Sequence, residues 1–173
     1  MTSNKDFTLL KQKILTFLAR REHLSKELAL KICSQKNSSF CAEEVFECLE
    51  LLANKGLYNE RKAFDSLAIH HLKKGEGPEK IFFKLSPFCR EKFSVFHIRA
   101  LAKTLELENE RPVWSKSLEK YCRKQQIYEK ITLSTQELLK MQHHLWQKGH
   151  GKISFYDLED FFRSQNNQLN QKE

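Results

Sequence analysis

Apolar residues recur at intervals of three and four along most of the chain, which is the spacing of one face of an α-helix. The first stretch places Phe7, Leu10, Ile14 and Phe17 on a single stripe. Similar stripes follow one another and predict nine helices. Their approximate bounds are 6–21, 25–35, 41–54, 59–74, 78–85, 94–105, 114–130, 135–148 and a short last helix from Ser154. The pattern therefore predicts an all-α fold.

The nine helices fall into three consecutive groups of three, which predicts three tandem three-helix repeats in an elongated array. The repeats are predicted at 6–55, 59–105 and 113–163, and the Gln- and Asn-rich stretch 164–173 is predicted to be a disordered tail. Matching positions in the three groups are unevenly spaced along the chain. The groups are therefore either diverged repeats or a chance likeness within a helix-rich sequence.

Residues that interrupt helices are sparse, with only 5 Gly and 3 Pro in 173 residues. Such a composition fits long helices joined by short connections. Ser25, Asn59 and either Ser134 or Thr135 are predicted to cap helix N-termini. Gly56 is predicted to close the third helix as a glycine C-cap.

A basic joint between two helices recurs three times, at Arg20–Arg21, at Lys73–Lys74 and at Lys148. Cations at spaced joints suit a repeating acidic surface, such as a protein filament or a nucleic-acid backbone. The alternative interpretation is that each cation only complements the negative C-terminal end of its helix dipole. Glycines at 75 and 77 follow the second joint and are predicted to permit positive φ in the turn, not to form a phosphate loop.

A second basic feature lies on the predicted seventh helix, where Lys116, Lys120, Arg123 and Lys124 share one face. These four residues join the joint cations as candidate partner- or DNA-binding residues. A face that is merely solvated would look the same in the sequence.

The net charge of +8, from 30 Lys+Arg against 22 Asp+Glu, favours anionic partners and leaves stand-alone nucleic-acid binding open as an alternative function. We expect a cytoplasmic monomer, because no apolar run approaches a membrane span or a signal peptide. The sequence suggests no metal, cofactor or disulfide, since the five cysteines form no C-x-x-C pair. Adjacent histidines at 70–71 and 143–144 diverge on a helix and cannot chelate as a pair. No pattern of catalytic residues is found, so the chain is predicted not to be an enzyme.

Four segments in order resemble the RecX family of RecA regulators. Residues 18–23 read LARREH and are followed by KELA at 26–29. Residues 56–61 read GLYNER. Residues 72–81 read LKKGEGPEKI, similar to that family's Gly-x-Gly-Pro-x-x-Ile joint, and residues 145–149 read LWQKG before SFYDL at 154–158.

The resemblance covers about residues 10–163. It implies a curved, all-helical protein of three three-helix repeats that binds in the groove of the RecA–single-stranded DNA filament. Such binding would hinder filament extension, ATP hydrolysis and strand exchange, and so act in homologous recombination, DNA repair and the SOS response. The resemblance implies no catalysis and no cofactor.

Overall fold

Helices account for all the regular secondary structure in the part of the chain that the computed structural model describes, residues 4–36, 38–109, 111–129 and 132–170. The all-α prediction is confirmed. The helices are α1 Asn4–Leu18, α2 Ser25–Cys33, α3 Ala42–Asn54, α4 Glu60–Lys73, α5 Pro78–Leu85, α6 Val95–Asn109, α7 Ser115–Lys124, α8 Thr135–Gln147 and α9 Phe155–Asn170. Two 3₁₀ turns lie at Ser86–Phe88 and Ile127–Glu129.

Several helices end at places that differ from the predicted ones; α1 ends at Leu18 instead of position 21, and α6 continues to Asn109 instead of position 105. α7 ends at Lys124, several residues before the predicted position 130, because Gln126 takes a positive φ of 54° that a helix cannot continue. α9 continues to Asn170, although its composition predicted disorder from residue 164. The apolar first turns of α9 anchor the helix, and helix elongation through polar residues is inexpensive once a helix has begun. Residues 171–173 of the predicted tail lie outside the described part.

The chain divides into two compact units. Unit 1 comprises Met1–Ala68 and Phe83–Ser94, and unit 2 comprises Ile69–Phe82 and Val95–Glu173. The division passes through α4 and α5, so the second predicted repeat contributes to both units. The predicted three-repeat organisation therefore does not coincide with the compact units, and it stays a prediction.

The core of unit 1 forms where α1, α2 and α3 pack together. Ile14 of α1, Ile32 of α2 and Val45 of α3 are completely buried, and Cys48 lies among them as a small core residue. Burial of each large aliphatic side chain contributes about 1.5–3 kcal/mol. The predicted C-cap at Gly56 is confirmed, because its φ is +68° and the amide of Leu57 donates to the Leu52 carbonyl in a Schellman motif.

The buried carboxylate of Glu60 holds three segments of unit 1 together. The side chain of Glu60 accepts hydrogen bonds from the backbone amides of Ser25 (3.0 Å), Arg90 (3.1 Å) and Glu91 (2.8 Å), and from the Ser25 hydroxyl. The predicted capping role of Ser25 is therefore wrong. Leu24 occupies the N-cap position of α2 without a side-chain cap, and Glu60 satisfies the first amide of that helix instead.

The core of unit 2 centres on α7, α8 and α9. Leu118 and Cys122 of α7, Met141 and Leu145 of α8, and Leu158 of α9 are fully buried. Capping of α8 by Ser134 is confirmed, since the Glu137 amide donates to the Ser134 hydroxyl and the Glu137 carboxylate accepts from the Ser134 amide at 2.8 Å.

One large apolar residue of α8 is on the surface. Trp146 directly follows the buried Leu145, yet it is 66% exposed. Its neighbour Leu145 points into the core, and consecutive residues on a helix point about 100° apart. The Trp146 ring instead stacks on the exposed His143 ring, with centroids 5.9 Å apart.

Candidate functional site

The second and third basic joints meet within unit 2. The amide of Gly77 donates to the carbonyl of Lys148 at 2.7 Å, and the amide of Glu79 donates to the carbonyl of Gly149 at 3.2 Å. The first amides of a helix and its last carbonyls normally lack intrahelical partners. Here the start of α5 satisfies the end of α8, so two distant stretches of sequence form one backbone contact.

Glycine is required on both sides of this contact. A Cβ on Gly77 would lie 2.0 Å from the carbonyl carbon of Gly149, and a Cβ on Gly149 would lie 2.5 Å from the backbone nitrogen of Lys80. Gly75 has a positive φ of +84°, as predicted for this turn, and this conformation favours glycine. Gly149 also has a positive φ, of +80°, which adds to the reason for glycine there. For Gly77 that explanation is wrong, because the close approach of the two backbones is what excludes a side chain.

A buried histidine links the two joints a second time. The Nε2 atom of His150 lies 3.0 Å from the carbonyl oxygen of Gly75 and must carry the proton, since a carbonyl can only accept. Burial is the main cause that lowers the pKa of His150 below its ordinary value. The ring is therefore neutral at pH 7 and acts as a fixed donor.

This arrangement surrounds a pocket of about 460 Å³ with lysines from four helices and their ends. We call it the lysine pocket. Lys74 follows the end of α4, Lys80 lies in α5, Lys120 and Lys124 lie on α7, and Lys148 caps α8. The remaining lining residues are Gly75, Glu76, Ser117, Tyr121, Gln125 and His144.

The positive charge of the lysine pocket is only partly offset by the groups that line it. None of its five lysines makes an ion pair with a carboxylate in the described ranges of the chain. Glu76, the one acid in the lining, lies 3.4 Å from Nδ1 of His71. Burial, followed by the nearby Lys148 ammonium, lowers the pKa of His144. The pocket is thus a concave site with an excess of positive charge, and four of its five lysines are exposed to solvent.

Three uncharged side chains contribute polar and aromatic surface to the pocket. The rings of Tyr121 and His144 stack with centroids 4.5 Å apart, and the Ser117 hydroxyl lies 3.4 Å from Nε2 of His144. Burial is the main cause that raises the pKa of Tyr121 above its ordinary value, so its hydroxyl remains a donor at physiological pH.

Four of the predicted binding residues, Lys74, Lys120, Lys124 and Lys148, line the lysine pocket. Lys80 also lines it, although the sequence analysis did not select this residue. Its position three residues after Gly77, on the first turn of α5, gains meaning only from the contact between Gly77 and Gly149.

The remaining predicted residues of unit 2 lie elsewhere. Lys73 and Lys116 line a second pocket of about 380 Å³, where Arg111 is 3.7 Å from Glu119. Arg123 is exposed on α7. The predicted basic face of α7 is thus divided between two pockets.

Arg20 and Arg21 belong to unit 1, whereas the lysine pocket is built from unit 2 alone. Both arginines are exposed. The Arg21 guanidinium pairs with Glu27 and also donates to the carbonyl of Glu22 at 2.8 Å. This joint ends α1 without a glycine, so its geometry differs from that of the other two joints.

Other candidate chemistry is weak in the described ranges. No group of three metal-ligating side chains occurs there, and no helix there is long and apolar enough to cross a bilayer. Burial raises the pKa of the Cys89 and Cys122 thiols to about 12. Those two thiols are therefore protonated and poor nucleophiles at neutral pH.

The chain matches no protein-family model, no curated protein sequence and no solved structure.

Proposed function

We propose that this protein is a RecX-like regulator that binds the RecA–single-stranded DNA filament and inhibits its ATP hydrolysis, extension and strand exchange. The proposal rests on the resemblance of the joint sequences and on one structural observation. Two of the segments that resemble the family, at 72–81 and 145–149, contact each other through their backbones and contribute to a pocket lined by five lysines.

The physical basis is a match of charge to a repeating anionic partner. A nucleoprotein filament presents phosphates and acidic side chains at regular intervals, and unpaired lysines on a fixed scaffold suit such a surface. The proposed activity is binding alone, as a monomer in the cytoplasm with RecA. It needs no cofactor and assigns no catalytic step to this chain.

The test is RecA ATP hydrolysis on single-stranded DNA with the purified protein added at or below the RecA concentration. We expect inhibition by the wild type and by the Lys140→Glu variant, since Lys140 is exposed on α8 and lies outside the pocket lining. The double variant Lys120→Glu and Lys148→Glu should inhibit at least about tenfold less well, as expected when two charge contacts are lost. An unchanged hydrolysis rate with wild-type protein would contradict the proposal.

A second candidate function is nucleic-acid binding without RecA. The observation that favours it is the Tyr121 ring among the lysines, since single strands bind through basic grooves with aromatic side chains. This function predicts that affinity for a labelled single strand falls steeply as salt rises, measured by fluorescence anisotropy without RecA. Binding that is weak and independent of salt would exclude it.

A further inference from the structure

We propose that the lysine pocket is a binding site for a compact polyphosphate, a chain of three or more linked phosphates such as a nucleoside triphosphate or inorganic tripolyphosphate. The site goes beyond the proposed function, because it concerns the protein alone. If both hold, the polyphosphate would compete with the anionic partner for the same lysines.

The first argument is an excess of charge that the fold does not use. Lys74, Lys124 and Lys148 lie at the ends of three helices, where they complement the helix dipoles. Each helix end carries about half a negative charge, so the three ends offset at most about 1.5 of the five positive charges. The Glu76 carboxylate in the lining offsets at most one more, so an excess of about 2.5 positive charges remains for an anion from outside.

The second argument is the shape of the site. Its volume of about 460 Å³ falls within the range of about 300–1,000 Å³ that is typical of small-molecule sites. A nucleic-acid strand spreads its charge along its length, at about one phosphate per 3.4 Å. Linked phosphates concentrate the same charge in a small volume, which better fits five lysines placed around one concavity.

The third argument is the supply of neutral donors beside the cations. The Ser117 hydroxyl, the Tyr121 hydroxyl and the Gln125 amide all lie in the lining. Phosphate oxygens accept several hydrogen bonds each, and bonds from charged and neutral donors together increase both affinity and specificity. One face of the Tyr121 ring stacks on His144, and the part of the residue that lines the pocket is where a nucleobase can make contact.

The fourth argument is that the anchors of the lysines are held in place before any ligand arrives. The amide of Gly77 bonds to Lys148, and His150 bonds to Gly75 next to Lys74. A scaffold that is already organised loses less conformational entropy on binding. Only the lysine stems themselves need to become ordered.

The test is calorimetric titration of the full chain at about 150 mM salt with three probes: sodium tripolyphosphate, magnesium-free ATP and orthophosphate. We expect tripolyphosphate and ATP to bind at one site, at least about tenfold more tightly than orthophosphate. Lys80→Gln and Lys120→Gln should each weaken both by about tenfold, the loss of one charge-assisted contact. Lys140→Gln, exposed on α8, is the matched control and should bind like the wild type.

The two sources of polyphosphate are told apart by the same titration. Equal affinities mean that the phosphate chain alone is recognised, and a tighter ATP complex that Tyr121→Ala reduces to the tripolyphosphate affinity means that a nucleotide is recognised. Either result supports the site.

Three outcomes would overturn it. The first is the absence of saturable polyphosphate binding. The second is that the lysine variants and the Lys140→Gln control weaken polyphosphate affinity equally. The third is that a single-stranded oligonucleotide binds through Lys80 and Lys120 while tripolyphosphate does not bind. Circular dichroism of each variant checks its fold. Because the titration contains no RecA, a negative RecA assay would leave its result unchanged.

Discussion

The two units of the protein differ in how their charged side chains are paired. In unit 1, the Glu60 carboxylate holds three backbone amides, Glu27 pairs with both Arg21 and Lys31, and Arg90 lies 2.8 Å from Glu50. In unit 2, five lysines surround a pocket with no carboxylate paired to them in the described ranges. Charged groups around Glu60 hold segments of unit 1 together, whereas the lysines of the pocket in unit 2 have no carboxylate paired to them in the described ranges, although other cations of unit 2 form ion pairs.

The difference also separates two kinds of basic joint that look alike in sequence. The arginine joint is partly neutralised by a local partner, whereas the two lysine joints interlock and combine their cations. Net charge alone therefore does not locate a binding site. What locates it is the positive charge that remains after internal pairing is taken into account.

The largest effect is expected from Gly77→Ala. A methyl group there would meet the backbone of Gly149 at 2.0 Å, which neither segment can avoid without moving. We expect a loss of about 3 kcal/mol in the free energy of unfolding, together with loss of binding at the lysine pocket. Gly151→Ala is the control, since a Cβ at Gly151 meets nothing within 4 Å. Equal urea midpoints for the two variants would show that the joints do not interlock.

A smaller loss is expected from Glu60→Gln in unit 1. The amide side chain keeps one acceptor oxygen, so buried backbone donors of Ser25, Arg90 and Glu91 lose acceptors. We expect about 2 kcal/mol of destabilisation in urea unfolding, with unchanged polyphosphate affinity. Glu47→Gln on the exposed face of α3 should be nearly neutral. If Glu60→Gln were as stable to urea as Glu47→Gln, the Glu60 carboxylate would not hold the three segments together.

A pH effect of unit 2 is expected from His150. Its pKa is lower in the folded protein than in the unfolded chain, so the unfolded chain binds more protons as the pH falls. Stability is therefore fully present above the ordinary histidine pKa of about 6.5 and decreases as the pH drops below it. Urea unfolding can be measured between about pH 5 and about pH 8, which bracket the ordinary pKa of about 6.5. We expect the free energy of unfolding to depend less steeply on pH for His150→Gln than for the wild type. His70→Gln, at an exposed position, should keep the wild-type slope.

The smallest effect on stability is expected from reversing the arginine joint. Arg20→Glu and Arg21→Glu together remove one exposed ion pair, worth at most about 1 kcal/mol. If binding resides in the lysine pocket, this variant keeps its polyphosphate affinity, and Lys73→Glu with Lys74→Glu loses much of it. Calorimetry on both double variants gives the comparison directly. Equal losses would mean that the sites are not separated as described.

Features that depend on neighbouring residues could be predicted from the sequence, and features that depend on distant residues could not. The glycine turn at Gly56 and the cap at Ser134 follow from three or four adjacent positions, and both are confirmed. Ser25 looked like a cap because its true partner, Glu60, is 35 residues away. The exposure of Trp146 could not be predicted either, because apolar spacing does not tell which of the adjacent residues Leu145 and Trp146 faces the core.

The candidate site shows the same limit. Lys74, Lys120, Lys124 and Lys148 were selected from local charge patterns, but nothing in those patterns showed that they share a pocket. Lys80 was missed because its importance comes from the contact between Gly77 and Gly149. A contact between two turns has no periodicity that a sequence reveals.

The distance along the chain between the two lysine joints has a consequence for synthesis of the protein. The carbonyl of Gly75 and the ring of His150 that bonds to it are 75 residues apart. At about 5–20 residues per second, the ribosome needs roughly 4–15 s to make the second after the first. During that interval the amides at the start of α5 have no partner from α8. The nascent chain can thus complete the α1–α3 core well before its lysines are brought together, and the pocket is one of the last parts of the molecule to form.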